Sequence, residues 1–290
     1  MAIAVLASLA AGVCFAVAGV LQQWAASARP DAEALTVRLL GHLARDPLWL
    51  CGIGLAVVAY GFQSLALAFG PLSLVQPLIV AELVFAVPLS ARLHRMRLGR
   101  REWWGTGAVA VGLALALASA RPHGGDPEAA GAVSWALVVG AVTAGACGAL
   151  VIARSLDGPW KASATALAAG AVMGTQSVLL AATVDKLRHG LVAALGAWQT
   201  YALVVASVCG LLLIQSAFQQ GPLAASMTVL DATEPVVAVT VGTVLFGESV
   251  HVGWPVSGVT LAGLALVAWG IVRLDTSPLI AALHGRGRRR

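Results

Sequence analysis

The sequence is poor in charged residues, which make up only 11% of its 290 positions. Soluble domains carry about 25%, because a folded protein needs polar side chains to cover its surface. Hydrophobic residues instead reach 59%, and the mean hydropathy is +0.87. This balance excludes a soluble globular domain and predicts a chain that is solvated by lipid.

Motifs for catalysis and for metal binding are also lacking. The four cysteines are far apart and form no CxxC or Cys/His pattern, so we interpret them as small buried hydrophobes. Phosphate-binding glycine loops and hydrolase nucleophile motifs are absent, and the six histidines all fall between apolar runs. The net charge of +5 is spread between those runs rather than gathered into a patch. We therefore expect no enzyme, no cofactor and no nucleic-acid partner.

Nine apolar runs are long enough to cross a bilayer, which takes about 20 residues in a helix. They lack the alternating pattern of barrel strands, so the predicted fold class is an all-α integral membrane protein with about nine transmembrane helices. The first run is expected to be a retained span rather than a signal peptide, since no basic segment precedes it. The runs cover 2–25, 48–69, 72–90, 103–120, 131–153, 162–184, 199–220, 223–246 and 254–272.

The segment at 29–47, between the first two runs, carries several charged side chains. Its pattern predicts an amphipathic segment that lies in the membrane interface. In the alternative, residues 31–47 form a tenth span and the N-terminus is inside. Composition does not decide between these two arrangements.

Lysine and arginine predict the orientation. With the N-terminus outside, every Lys and Arg except Arg121, Lys186 and Arg188 falls in a cytoplasmic segment, in agreement with the positive-inside rule. We therefore expect a multi-pass protein of the plasma (inner) membrane, surrounded by the lipid bilayer, with a basic cytoplasmic tail at 276–290. Homodimerisation is left open.

An internal repeat relates the two halves of the chain. Five helices separate corresponding members, so the two copies enter the membrane in opposite directions, as inverted repeats of secondary transporters do. The predicted organisation is a first repeat at 1–120, with four spans plus the segment 29–47, and a second repeat at 131–275 with five spans. The run 162–184 stands where the first repeat has 29–47. The matched positions, 151 apart, are Gly70-Pro71-Leu72 with Gly221-Pro222-Leu223, Trp103 with Trp254, Gly107 with Gly258 and Gly112 with Gly263.

The stretch 66–89, ALAFGPLSLVQPLIVAELVFAVPL, together with Glu234-Pro235-Val236 and Gly247-Glu248, resembles the drug/metabolite transporter superfamily of EamA-like proteins. The nine runs and the sequence DPLWLCG at 46–52 look like its NIPA-type magnesium transporter branch. The resemblance implies a membrane transporter built as a two-repeat helical bundle. It leaves the substrate open, since members carry organic metabolites, drugs or Mg²⁺. The Gly-Glu pair has no counterpart in the first half, where Met96-Arg97 stands.

Three acidic residues lie well inside the spans, namely Glu82, Asp231 and Glu234. A charge at the bilayer centre costs about 2.5–3.5 kcal/mol on insertion scales, so these carboxyls need a function or a partner. Glu82 and Glu234 reach the midplane from opposite sides, where inverted-repeat transporters bind their substrates. Thr228, Asp231 and Glu234 recur every three residues and so share one helical stripe.

Amides and prolines surround these acids. Pro77 and Pro235 each remove a backbone donor and can free a carbonyl nearby. Glutamines form a second layer that either lines a substrate path or holds helices together. The predicted residues for binding of substrate, proton or cation are Glu82, Asp231, Glu234, Thr228, Gln63, Gln76, Gln215 and Gln219. No catalytic residue is predicted, and no metal ligand is assigned.

Three functions are compatible with this pattern. The first is a proton-linked secondary transporter of a small organic metabolite or drug, in which the mid-depth carboxyls exchange protons. The second is a carrier of Mg²⁺ or another divalent cation, because hard cations prefer oxygen ligands. The third is a non-transporting membrane scaffold, which predicts no cavity around residues 82, 231 and 234.

Overall fold

A computed structural model describes residues 1–27, 35–79, 82–93, 99–120, 125–126, 128–221, 223–248 and 256–275. Within these ranges the regular structure is entirely helical, which confirms the predicted all-α class. The tail at 276–290, residues 31–34, Met96-Arg97 and the side chain of Thr228 lie outside the described part. The helices are α1 (Ala2–Ser27), α2 (Val37–Leu43), α3 (Pro47–Phe69), α4 (Leu72–Ile79), α5 (Glu82–Leu93), α6 (Arg100–Ala120), α7 (Ala132–Ala153), α8 (Gly158–Arg188), α9 (Leu191–Gly196), α10 (Trp198–Gln220), α11 (Leu223–Phe246) and α12 (Val256–Asp275).

Within the described residues, helices occupy all nine predicted apolar runs, and six of these helices are long and apolar enough to cross a membrane. They are α1, α3, α7, α8, α10 and the part of α11 from Val229 to Phe246. Local sequence signals set their ends. The Asp46 carboxylate caps α3 by accepting from the amides of Leu48 at 3.0 Å and Trp49 at 3.4 Å.

The helix α2 is too short to cross a bilayer. Its seven residues span about 10 Å. Leu39 and Leu43 are fully buried beneath the bundle, whereas Arg38 on the opposite face is exposed. The described part of the segment 29–47 therefore contains a short helix with one buried face, packed across one end of the bundle. The alternative of a tenth span at 31–47 includes residues 31–34, which lie outside the described part.

The two Gly-Pro turns lie at opposite ends of the bundle. The helix α3 begins at the end covered by α2, where Trp49 packs with Phe218 and Met227 of the α10–α11 turn. It ends at Phe69, beside the turn that leads into α4. The first turn is thus separated from Gly221 by the length of a 23-residue helix.

The helices of the two halves pack in similar patterns. The helix α1 packs against α3, α4 and α5, and α8 packs against α10 and α11. A short helix follows each of them, α2 after α1 and α9 after α8. These contacts match α8 with α1 rather than with the segment 29–47, contrary to our alignment of that segment with 162–184. The helix without a counterpart in the first half is α7.

The last helices of the two halves, α6 and α12, form a closely packed antiparallel pair. A Cβ built on Gly112 would lie 2.6 Å from the carbonyl oxygen of Gly263, and one on Gly263 would lie 2.7 Å from that of Gly112. Further along, the hydroxyls of Ser119 and Thr260 approach to 2.9 Å. Since no side chain fits at either glycine, backbone meets backbone at this crossing.

Gly12 of α1 packs closely against the apolar run at 72–90, which is described as α4 up to Ile79 and as α5 from Glu82. A Cβ on Gly12 would lie 3.2 Å from the Ile79 carbonyl oxygen and 3.4 Å from the Glu82 amide nitrogen. The backbone of α1 therefore lies directly beside Glu82. The helix α11 continues through Pro235.

Glu248, just beyond α11, caps the N-terminus of α4. Its Oε1 accepts from the Leu72 amide at 2.7 Å and its Oε2 from the Ser73 amide at 2.9 Å. Gly125, at φ +99, passes so close that a Cβ would lie 2.6 Å from the Glu248 side chain. A buried carboxylate thus joins the end of one helix to the start of another, where helix amides attract negative charge.

Replacing Glu248 by alanine is expected to destabilise the protein by about 1–3 kcal/mol, because two buried amides lose their acceptor. The measurement is the thermal midpoint of purified protein in detergent. Glu128→Gln is the control, since that carboxylate is exposed and pairs with Lys186, and surface pairs contribute little. An equal loss in both variants would contradict the capping role.

Candidate functional site

The three mid-depth acids converge from two helices in the structure. Glu82 opens α5, and Asp231 and Glu234 lie on α11, one turn apart. Glu82 and Asp231 are buried, and their carboxyl groups lie within hydrogen-bonding reach of each other. Glu234 is half-buried and close enough to interact with both. We call these three residues the carboxyl cluster.

A line of hydrogen bonds leads from α3 through α8 to Glu234. The Gln63 amide donates to the Ser177 hydroxyl at 3.3 Å, and this hydroxyl donates to Oε1 of Glu234 at 3.2 Å. Gln63 and Ser177 are buried. Three helices therefore fix the direction of the Glu234 carboxyl, and Gln63 lies where the sequence predicted it.

Tyr60 is part of the same site, although sequence reasoning did not select it. It lies on α3 one turn before Gln63, within electrostatic reach of Glu234 and Glu82. Its ring packs edge-on against Phe15 of α1, with centroids 5.0 Å apart. The available signal was its position, since tyrosine in a membrane span usually lies at the interface rather than at mid-depth.

Ser177 was also missed. A serine in a membrane helix is common and ordinarily bonds to its own backbone, so its type carries little information. Its one distinguishing mark is that it follows Gln176, as Ser64 follows Gln63 and Ser216 follows Gln215.

Buried carboxyl groups that lie close together need protons or cations, because their negative charges would otherwise repel each other. Two carboxylates are both acceptors, so a hydrogen bond between Glu82 and Asp231 requires a proton on one of them. Oδ2 of Asp231 is buried and has no hydrogen-bond partner among the described residues, and no described Lys or Arg forms an ion pair with the cluster. Pro235 also deprives the Asp231 carbonyl of its usual helical donor. The arrangement is suited to holding and releasing a positive charge.

The other predicted glutamines have varied surroundings. Gln215 donates to Oε1 of Gln22 at 2.6 Å, which commits its amide to a contact between α10 and α1. Gln76 is buried, and its Nε2 has no partner among the described residues. Gln219 is buried near the end of α10. No described contact joins these three to the carboxyl cluster.

A cavity of about 520 Å³ opens at the end of the bundle where α3, α8 and α11 terminate. We call it the vestibule. Two members of one apolar core cluster, Leu72 and Phe246, line it. None of the three acids lines it, so it is separate from the carboxyl cluster. Its lining residues are Leu67, Ala68, Phe69, Gly70, Pro71, Leu72, Gly125, Asp126, Ala181, Val184, Asp185, Arg188, Phe246 and Glu248.

At the rim of the vestibule, Glu128, Asp185 and His189 bring potential ligand atoms within 4.8 Å of one another. Lys186 donates to Glu128, and this hydrogen bond holds the pKa of the Glu128 carboxyl below its usual range. The lysine ammonium therefore already neutralises part of the group. Among the described residues the carboxyl cluster does not form a comparably tight ligand set.

Comparison with known proteins places the chain beside a bacterial relative. No known family model and no solved structure matches it. It is 32% identical over 284 residues to the uncharacterized protein Cgl0250/cg0304 of Corynebacterium glutamicum, with 95% of this chain and 96% of that protein covered. This similarity, over almost the whole of both sequences, shows that the chain belongs to the family of that corynebacterial protein.

Proposed function

We propose that the protein is a multi-pass secondary transporter of the drug/metabolite type, which moves a small organic solute in a proton-linked cycle. The observation that carries this proposal is the carboxyl cluster. Two acids within hydrogen-bonding reach, with a third beside them, form a unit that gains stability from a shared proton. Loss or gain of that proton changes how the helices α5 and α11 attract each other, which couples protonation to helix movement.

The repeat pattern supports alternating access. Gly112 and Gly263, which correspond in the sequence repeat, contact each other reciprocally, as residues on a pseudo-two-fold axis do. The Gly-Pro turns at opposite ends fit an inverted arrangement. We propose nine spans with the N-terminus outside, so that the vestibule faces outward and Arg38, Arg154 and Lys161 lie at the cytoplasmic end.

Transport of Mg²⁺ or another divalent cation is the second candidate. The converging carboxyl oxygens and the Asp231 carbonyl favour it, because Mg²⁺ binds through one or two carboxylates and retains several waters. The three acids are less tightly grouped than Glu128, Asp185 and His189, and this wider spacing favours protons over a metal ion. Entrapped magnesium dye in proteoliposomes distinguishes the two, since a cation carrier would load the vesicles without any organic solute.

The test of the first candidate is solute-dependent proton flux in proteoliposomes that contain a pH dye. A panel of organic solutes is added under an imposed pH gradient. For the solutes that dissipate the gradient with wild-type protein, Glu234→Gln is expected to abolish the response, because an amide cannot exchange the proton. Glu128→Gln serves as the matched control and retains it. Undiminished flux in Glu234→Gln would refute the proton role.

A further inference from the structure

The vestibule is surrounded by electronegative groups. Three helices, α3, α8 and α11, end at it, and the last carbonyls of a helix lack intrahelical donors and carry partial negative charge. Asp126 and Asp185 add two carboxylates. The third lining carboxylate, Glu248, is occupied by the amides of α4. Arg188 supplies the cation among the lining residues.

Arg188 indicates which chemistry these groups bind. Its guanidinium donates to the Ala68 carbonyl in the last turn of α3. Asp185, one turn earlier on α8, is half-buried, and no described residue forms an ion pair or hydrogen bond with it. The Arg188 guanidinium therefore already occupies one acceptor, the Ala68 carbonyl. The neighbouring Asp185 carboxylate and most of the cavity volume stay available.

We propose that the vestibule is a recognition site for organic cations that carry N–H donors, such as a guanidinium or primary ammonium on an apolar body. The cationic head binds Asp185 and competes with Arg188 for the Ala68 carbonyl. The apolar body packs against Leu67 and Phe69. This proposal names the substrate class of the proposed transporter and therefore rests on the proposed function.

Size and position fit this role. A volume of about 520 Å³ lies within the range of small-molecule sites. Ala181 in the vestibule and Ser177 in the hydrogen-bonded line to Glu234 are four residues apart on α8, about 6 Å. Leu67 and Gln63 are spaced identically on α3. The vestibule lining thus lies about one helical turn from the hydrogen-bonded line that leads to Glu234.

An organic anion would engage Arg188 instead. Two lining carboxylates and three helix C-termini oppose that arrangement, because each repels an anion and attracts a cation. Asp185 is the more available of the two, since Oδ1 of Asp126 already accepts from the Glu128 amide at 2.9 Å. The single guanidinium is already hydrogen-bonded to a carbonyl, so an anion would have to displace it from that contact. The balance of charge favours a cationic ligand.

The experiment is calorimetric titration of full-length protein in lipid nanodiscs with phenylguanidine and, as a neutral molecule of the same shape, phenylurea. Phenylguanidine is expected to bind and phenylurea to bind at least about tenfold more weakly, because a charge-assisted contact is lost. Asp185→Asn should weaken phenylguanidine about tenfold. Arg188→Gln should strengthen it several-fold, since the tethered competitor is gone. Lys186→Gln, which removes a neighbouring cation outside the lining, should change little.

The outcomes test the vestibule site and the proton role independently. If Glu234→Gln keeps phenylguanidine binding but loses proton flux, both the vestibule site and the proton role are supported. If Glu234→Gln loses phenylguanidine binding, the ligand sits in the carboxyl cluster and the vestibule proposal fails. Equal binding of phenylguanidine and phenylurea, no effect of Asp185→Asn, or Arg188-dependent binding of phenylacetate would each overturn the vestibule proposal and leave the proton role untouched.

Discussion

Replacement of Asp231 by asparagine is expected to lower proton-coupled solute flux by at least about 100-fold, the lower range of what a positioned proton-transfer group contributes. Asparagine keeps the shape of the side chain and can still donate to Glu82. It cannot take up or release a proton in the cycle. The initial rate of solute-dependent proton flux in proteoliposomes measures the effect.

The fold should survive this change. Asparagine removes a buried like charge beside Glu82 and Glu234 while it leaves a hydrogen-bonding group in place, so the thermal midpoint should be equal to or above that of the wild type. Ser177→Ala is the comparison, since it removes the donor to Glu234 and the acceptor of the Gln63 amide but no titratable group. It should lower flux about tenfold or less. Wild-type flux in Asp231→Asn would contradict the assignment of the carboxyl cluster.

Valine at Gly112 or at Gly263 is expected to abolish correct packing of α6 against α12. Each substitution places carbon atoms within 3 Å of opposing backbone, and backbone cannot move aside as a flexible side chain can. Overpacking of a rigid contact costs about 1–3 kcal/mol and occasionally more. We expect low expression, a broad size-exclusion profile and a markedly lower thermal midpoint.

Gly107→Val provides the matched control for this prediction. It lies on the same helix as Gly112, but a Cβ there would meet nothing within 4 Å. It imposes the same β-branched side chain on α6 and therefore the same cost in helix propensity. Similar behaviour of Gly107→Val and Gly112→Val would show that helix propensity, and not close packing, explains the loss.

The spans were predictable because the bilayer imposes a simple length requirement on apolar sequence. Glu82, Asp231 and Glu234 could be selected because acidic side chains inside apolar runs are costly and therefore rare. Gln63 could be selected because it is a polar residue inside a predicted span.

Contacts between distant residues could not be read from the sequence. Gly12 of α1 approaches Ile79 and Glu82, about 70 positions away. The cap at Leu72 comes from Glu248, 176 positions away. Tyr60 and Ser177 gain their role only from neighbours on other helices. Gln215 was predicted beside the acids, whereas its observed partner is Gln22 on α1. Periodicity and depth place a residue within its own helix, but the partner helix is set by packing.

The infrared spectrum of carboxyl groups in lipid-reconstituted protein at neutral pH tests the central claim most directly, because it detects a protonated carboxyl without any knowledge of the substrate. The carboxyl cluster is predicted to give the carbonyl band of a protonated acid, which shifts in D₂O and is missing from the double variant Glu82→Gln/Asp231→Asn. A wild-type spectrum identical to that of the double variant in this region would show that the cluster holds no proton, and would contradict the account.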